Sequence, residues 1–114
     1  MIEERKAQFE QILQTRKEEL LQWLKEHEQE LDEVQADMPA DDKDAVPWQQ
    51  RQAELRGRIE EERAELDLLD QAFERLGNDE YGYCAECGDE IPVRRLEVLP
   101  LTLYCTRCQE SLEG

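Results

Sequence analysis

The chain has 114 residues, of which 39% are charged and only 6% aromatic, and its formal net charge is −16. This size and composition exclude a large catalytic core and favour long solvated helices, so we expect an elongated molecule that is not an enzyme. Direct binding of DNA or RNA needs basic side chains at the phosphates, so the acidity argues against it and favours a basic protein surface as the partner.

The first part of the chain carries a narrow apolar stripe. Apolar residues recur at alternating steps of seven and four, and charged or amide side chains fill the other positions. The stripe consists of Ile2, Phe9, Leu13, Leu20, Leu24 and Leu31. An eleven-residue repeat is close to the winding of a straight α-helix, so it predicts one long helix with a single apolar face.

Nothing near the N-terminus predicts export. The sequence from Met1 to Phe9 runs into charged helical sequence without an apolar core, and no stretch approaches the length of a membrane span. We therefore predict a cytoplasmic protein without a membrane partner.

Prolines and aspartates interrupt the stripe and predict the tip of a hairpin over residues 38–47. Met38-Pro39 ends the first helix because a proline disfavours helical geometry in the residue before it. Pro47 lies near the start of the next periodic run, where a proline is tolerated. Three aspartates lie between the two prolines.

A second apolar stripe of nearly equal length follows and stops at Gly77-Asn78. Its members are Trp48, Leu55, Ile59, Leu66, Leu69, Phe73 and Leu76. Two such helices bury their stripes by folding back as an antiparallel coiled-coil hairpin, with arms of about 50 Å. Counting outward from the loop pairs Leu31 with Leu55, Leu20 with Leu66 and Leu13 with Phe73. The hairpin predicts a monomer, and a coiled-coil dimer is the alternative.

Four cysteines in two Cys-x-x-Cys pairs form the most specific pattern in the chain. The pairs are Cys84 with Cys87 and Cys105 with Cys108, and seventeen residues separate them. Two intervening residues let one tight turn direct both sulfurs at the same ion, and Gly88 permits the positive φ that such a turn can need. In a reducing compartment this pattern indicates metal binding before disulfides. We predict one structural Zn²⁺, because four thiolates leave no open coordination position, and a short C-terminal helix that begins at the second pair.

The zinc segment resembles one known family in its spacing and in its intervening residues. The matching features are Tyr81-Gly82-Tyr83, the first cysteine pair with Gly88, Ile91, Arg95-Leu96-Glu97, Pro100 and the second cysteine pair. With the acidic-tipped hairpin before them, they resemble the DksA/TraR family of bacterial RNA polymerase-binding factors. The sequence then divides into a hairpin domain, residues 1–80, and a C4 zinc-finger module, residues 81–114.

The resemblance implies a transcription regulator that binds RNA polymerase and does not contact DNA. Members of the family insert the hairpin into the secondary channel of polymerase and change the stability of promoter complexes from beside the active site. Their hairpin tip carries an Asp-x-x-Asp-x-Ala motif. Asp41 and Asp44 match its aspartates, whereas Val46 stands in place of its alanine. We expect these three residues to form the partner-binding tip, and the alternative is that Asp44 only caps the second helix.

The best-known members of the family also respond to guanosine tetraphosphate through basic residues on the second arm and after the last cysteine. In this chain no lysine or arginine lies between Arg63 and Arg75, and Gln109 follows Cys108. We therefore expect little response to this alarmone.

Two other functions stay open at the level of the sequence. One is a zinc-stabilised structural or adaptor protein whose hairpin only holds partners together. The other is a secondary-channel factor that stimulates transcript cleavage, with tip carboxylates helping to place a metal ion in the polymerase site. Binding to RNA polymerase separates the regulator and the cleavage factor from the adaptor.

Overall fold

A computed structural model describes residues 3–114, so Ile2 of the predicted stripe lies outside the described residues. The described chain forms helices α1 (Glu3–Ala36), α2 (Ala45–Gly77), α3 (Val93–Val98) and α4 (Thr106–Glu113), with a 3₁₀ turn at Asp42–Asp44. It contains no β-strand, only an isolated antiparallel bridge between Tyr83 and Glu90. None of these helices is both long and apolar enough to cross a membrane. The predicted mainly α fold class is confirmed.

The described residues group into two compact units. The zinc-finger unit contains the chain up to Thr15 together with Leu68–Gly114, and the tip unit contains Arg16–Asp67. These units are groups of neighbouring residues in space. The division of the sequence into domains 1–80 and 81–114 instead follows the order of the chain, and it stays a prediction.

In the tip unit the two long helices run antiparallel. Residue numbers rise along α1 while those of their hydrogen-bond partners fall along α2, as seen for Arg16 with Glu65, His27 with Glu62 and Val34 with Trp48. Arg16 Nε and Nη2 donate to the two carboxylate oxygens of Glu65 at 2.6 and 3.0 Å. The same guanidinium lies 5.1 Å from the centroid of the Trp23 ring. The hairpin that the two stripes predicted is therefore present in this unit.

The apolar stripes supply the core of the tip unit. Leu20, Leu55 and Ile59 are buried, whereas Leu31 is only half-buried. A pair of helices covers a single line of side chains, so residues beside that line keep part of their surface in water. Gln52 is also buried, although its amide gave no signal in the stripe.

The zinc-finger unit has its own core, which is built around Tyr81. The rings of Phe9 and Tyr81 lie 5.7 Å apart at an angle of 48°. The Tyr81 hydroxyl donates to Pro100 O at 2.7 Å, so the loop before the second cysteine pair is fastened to the core. The other buried apolar side chains of this unit include Leu13, Leu69, Ala72, Leu76, Ile91 and Leu96.

Helix α2 ends in a Schellman motif. Glu80 N donates to Arg75 O at 2.8 Å, and Asp79 N donates to Leu76 O at 3.3 Å. Asp79 takes the left-handed conformation of this motif, with φ of 58°, which aspartate tolerates better than most side chains. Lys6 Nζ lies 2.9 Å from the Asp79 carboxylate, so α1 contributes to the same turn. The chain thereby reverses into the segment that carries the first cysteine pair.

Candidate zinc site and hairpin tip

The first cysteine pair lies on a tight turn that its own backbone closes. Gly88 N donates to Cys84 O at 2.9 Å, and Cys84 N donates to Asp89 O at 2.8 Å. Gly88 has a φ of +79°, a conformation that side chains rarely adopt, so the sequence-based reason for a glycine here is confirmed. This turn brings Cys84 and Cys87 to the same side of the segment.

The second cysteine pair lies at the start of α4. Cys105 is the residue before the helix, and its carbonyl accepts the first helical hydrogen bond from Gln109 N at 2.9 Å. Cys108 is in the first turn, where the helix dipole favours negative charge. The predicted C-terminal helix is thus confirmed. Ala85 N donates to Leu103 O at 2.7 Å and joins the first turn to the segment that precedes Cys105.

The four thiols form a cluster whose dimensions suit zinc. All four Sγ atoms lie within 4.8 Å of one another, and Cys87 Sγ and Cys105 Sγ are 3.9 Å apart. Zn–S bonds of about 2.3 Å in a tetrahedron place the sulfurs about 3.8 Å apart. The cysteines are free thiols, and the S–S separation is far too long for a disulfide. We infer that Cys84, Cys87, Cys105 and Cys108 hold one structural Zn²⁺.

The electrostatics of the cluster are consistent with a bound cation. Burial opposes charge on Cys84, but backbone N–H donors, chiefly those of Cys87 and Cys105, outweigh it and lower the pKa of Cys84 to about 6. The neighbouring Cys105 thiol, together with burial, raises the pKa of Cys108 to about 12. A thiolate at one cysteine thus disfavours a thiolate at its neighbour, and a bound Zn²⁺ offsets part of this repulsion while the thiols release their protons.

Arg75 and Arg107 lie beside the first cysteine turn. Arg75, near the end of α2, donates from Nη2 to Tyr83 O at 2.6 Å and to Glu80 O at 3.1 Å. Arg107 lies in α4, beside the Cys87 thiol, and this contact raises the pKa of its guanidinium. Arg107 Nη2 also lies 3.7 Å from the Asp89 carboxylate. Arg75 thus fastens the entry of the first cysteine turn, and Arg107 places a positive charge at its exit.

The tip loop is shorter than its predicted range of 38–47. Helix α1 ends at Ala36 and α2 already begins at Ala45, so the loop covers residues 37–44. Pro47 lies in the first turn of α2, where its missing N–H costs no helical hydrogen bond, and it therefore does not delay the helix.

The tip aspartates differ in their local roles. The Asp41 carboxylate caps the 3₁₀ turn by accepting from Lys43 N at 3.2 Å, and Asp44 N donates to Asp41 O at 3.1 Å. The Asp44 side chain is exposed, and within residues 3–114 its carboxylate has no hydrogen-bond or ion-pair partner. The interpretation of Asp44 as a cap is therefore not supported, because the capping carboxylate belongs to Asp41. The expected contact of both residues with a partner stays a prediction.

Two further residues complete the description of the tip. Val46 is 57% exposed in the first turn of α2, and so the side chain that replaces the family alanine lies at the surface. Trp48, which the sequence suggested as a packing residue, donates from its indole Nε1 to Val34 O at 2.6 Å. The stripe gave no signal for this bond, because it joins a side chain to a backbone carbonyl of the other helix.

A second polar contact was also missed. His27 Nδ1 lies 2.8 and 2.9 Å from the two carboxylate oxygens of Glu62, and both side chains are largely buried. The sequence did not indicate Glu62 as the partner of His27, since the two residues lie thirty-five positions apart, on different helices. Within the tip unit the pair crosslinks the two helices, and this places it among the structural contacts.

Comparison with known proteins agrees with this site. Residues 79–114 match the family described as the prokaryotic dksA/traR C4-type zinc finger. The chain is 38% identical over 60 residues to the RNA polymerase-binding transcription factor DksA of Haemophilus influenzae, a match that covers 53% of this chain and 41% of that protein. This match thus spans less than half the length of that relative. With Escherichia coli DksA it is 27% identical over 113 residues, which cover 99% of this chain and 74% of the relative.

A solved structure extends the similarity to the fold of the chain. The structure of transcription factor DksA2 from Pseudomonas aeruginosa matches with a TM-score of 0.88 and 29% sequence identity. The match covers 97% of this chain and 84% of that one. With the zinc-finger match and the clustered thiols, it identifies the chain as a member of the DksA/TraR family.

Proposed function

We propose that this protein is a transcription factor that binds RNA polymerase and acts without enzymatic activity of its own. The observation that carries the proposal is the match to transcription factor DksA2 over nearly the entire chain, helical hairpin and zinc finger together. The names of the curated relatives, RNA polymerase-binding transcription factor DksA, point to the partner. Such a partner implies a cytoplasmic protein.

The charge of the chain supports a protein partner over a nucleic acid. A net charge of −16 repels the phosphates of DNA and RNA and attracts basic protein surfaces. We infer that the factor reaches promoters only through polymerase. Its association with polymerase should therefore weaken as the salt concentration rises, because salt screens exposed charges beyond about 10 Å.

The tip is the part that we assign to regulation. Asp44 is exposed and unpaired within the described residues, and Asp41 is held by the 3₁₀ turn, so both carboxylates are presented to a partner in a defined loop. In this proposal the hairpin enters the secondary channel, and the two carboxylates act beside the polymerase active site to change promoter-complex stability. Val46 adds an exposed apolar side chain to the same surface.

The zinc site has a structural part in this function. Bound zinc offsets part of the negative charge of the clustered thiolates and holds the two cysteine pairs together, while the residues around it form the surface of the module. Arg75 and the Tyr81 hydroxyl connect these turns to α2 and to the core of the unit. We propose that this module and the arms provide most of the area that binds polymerase.

A binding experiment with purified components tests the proposal. Tagged protein, loaded with zinc, is mixed with RNA polymerase core enzyme, and co-purification is measured at low and high salt. We expect a stable complex at low salt and no retention of promoter DNA in the absence of polymerase. Absence of a complex with polymerase would contradict the proposed function and would favour the hypothesis of a zinc-stabilised adaptor protein. Cleavage of the transcript in stalled complexes, if stimulated by the protein, would favour the cleavage factor.

A further inference from the structure

The hydrogen bond between Trp48 and Val34 joins the two long helices next to the tip loop. Val34 is in the last turn of α1, where carbonyl groups lack the helical N–H partners that they have in mid-helix. The Trp48 indole supplies one such donor at 2.6 Å from the first turn of α2. Asp37 N also approaches Val34 O, at 3.2 Å. The carbonyl of Val34 therefore joins the end of α1, the start of the loop and the start of α2.

This bond closes the loop that carries the tip aspartates. The loop covers residues 37–44, and Val34 and Trp48 lie just outside its two ends. Trp48 is half-buried, which shields the bond partly from water. The next contact between the helices is the ion pair of Arg51 with Glu30, whose side chains are more exposed and whose contribution is correspondingly smaller.

The position of Asp44 depends on the segment that Trp48 fixes. Asp44 comes directly before α2 and lies one helical turn before Trp48, so a movement of the first turn of α2 moves Asp44 with it. Asp41 follows, because its carbonyl accepts from Asp44 N. No other side chain of the described residues is hydrogen-bonded to the backbone of the last turn of α1.

We propose that Trp48 is a positioning residue for the regulatory tip: its indole N–H holds the loop so that Asp41 and Asp44 are presented in one arrangement. The inference rests on the proposed function, in which these carboxylates act on polymerase. It assigns to Trp48 no contact with polymerase. The side chain acts through the backbone of Val34 and the first turn of α2.

The variant Trp48→Phe tests this inference, because it keeps an aromatic ring and removes the N–H donor, and the same loss of ring size occurs in the control variant. The matched control is Trp23→Phe, since the Trp23 indole has no hydrogen-bond acceptor among residues 3–114. Amide hydrogen exchange is measured at Asp37 and Asp44, whose N–H groups are bonded within the tip. Loss of one ordinary hydrogen bond should accelerate their exchange about fivefold in Trp48→Phe and leave it unchanged in Trp23→Phe.

The functional arm uses the same variants with polymerase. We expect Trp48→Phe to bind polymerase like the wild type but to change promoter-complex lifetime about fivefold less, as the ordered tip becomes less populated. Unchanged exchange at Asp37 and Asp44, or an unchanged effect on lifetime, would overturn the inference. A wild-type protein that does not bind polymerase would instead refute the proposed function, and the assignment of Trp48 to regulation would fail with it. Faster exchange in both variants would show a general loosening of the hairpin and would also count against Trp48.

Discussion

Arg75 of α2 and Tyr83, the residue before the first zinc cysteine, are joined by a hydrogen bond of 2.6 Å from the guanidinium to the backbone carbonyl. The same guanidinium group donates to Glu80 O. The cysteine turn is therefore fastened to the helix that precedes it by one charged side chain. This contact connects the metal site with the helical part of the zinc-finger unit, and it can be tested separately from the metal ligands.

We predict that Arg75→Met weakens zinc binding about tenfold, because a charge-assisted hydrogen bond contributes roughly 1.5–3 kcal/mol and positions the turn that carries Cys84. Arg94→Met is the matched control, since Arg94 is exposed and has no hydrogen-bond or ion-pair partner among residues 3–114. Competition with a chromogenic chelator measures both affinities. Equal affinities of the two variants would show that Arg75 does not position the site.

Removal of the zinc should unfold the module and spare the tip unit. We predict one zinc per chain and its loss in Cys105→Ser, because a structural zinc contributes on the order of 10 kcal/mol to the folding of such a module. Metal analysis gives the stoichiometry, and NMR spectra show which residues lose dispersed signals. Dispersed signals from residues 84–108 in metal-free protein, or disulfides in protein freshly purified under reducing conditions, would contradict this prediction.

Tyr81 should give the zinc-finger unit a dependence on alkaline pH. Burial raises the pKa of its hydroxyl from 10.0 to about 12, so the folded state prefers the protonated form. The stability that this preference contributes is complete below pH 10 and is lost as the pH rises through about 12. Tyr81→Phe should flatten the decline while losing about 1 kcal/mol at neutral pH with the bond to Pro100. Urea unfolding across this pH range measures both effects, and an equally steep decline in the variant would refute the assignment.

How far the sequence predicted the fold depended on whether a signal was local. The stripe identified Phe9, Leu13 and Leu20, which are at most 2% exposed, because the spacing of apolar residues is a property of a single helix. The cysteine spacing likewise predicted the cluster of thiols, since each pair is a local turn. Gly88 could be assigned for the same reason, because the conformation of a turn depends on few residues.

Contacts between the helices could not be predicted to the same extent. Whether His27 faces Glu62, or Trp48 faces Val34, depends on the rotation and register of the two helices. The spacing of apolar residues determines these only to within about one turn. The stripe stops at Gly77-Asn78, and the left-handed residue that follows α2 is Asp79, whose ion pair with Lys6 of α1 no local pattern could indicate. The capping residue is Asp41 and not Asp44, because a 3₁₀ turn, which Asp41 caps, precedes α2.

Guanosine tetraphosphate should have little added effect with this factor. Along α2 no lysine or arginine lies between Arg63 and Arg75, and the apolar Leu68 is exposed within that stretch. Tight binding of phosphates needs charge-assisted hydrogen bonds, which these residues do not offer. Promoter assays with and without the alarmone, in the presence and absence of the factor, measure its added contribution. A several-fold enhancement that requires this protein would contradict the prediction.

Substitution of the tip aspartates should impair regulation without weakening the binding of polymerase. We predict that Asp41→Asn and Asp44→Asn both impair regulation, and that Asp41→Asn leaves the 3₁₀ turn intact because asparagine caps as well as aspartate does. Asp32→Asn on α1 is the matched control, since it removes one exposed carboxylate outside the tip. Val46→Ala restores the residue of the family motif, and its activity relative to the wild type measures what the exposed valine changes.

The most direct test is the lifetime of a polymerase–promoter complex in the presence of saturating wild-type protein or Asp44→Asn, with polymerase affinity measured in parallel. Because the Asp44 carboxylate is exposed and has no partner within the described residues, the substitution should alter neither the fold nor the tip geometry. We predict that the variant binds polymerase within about twofold of the wild type, as is usual for one exposed charge, and loses most of the effect on lifetime. An Asp44→Asn protein that changes the lifetime as strongly as the wild type would contradict a regulatory role for the tip.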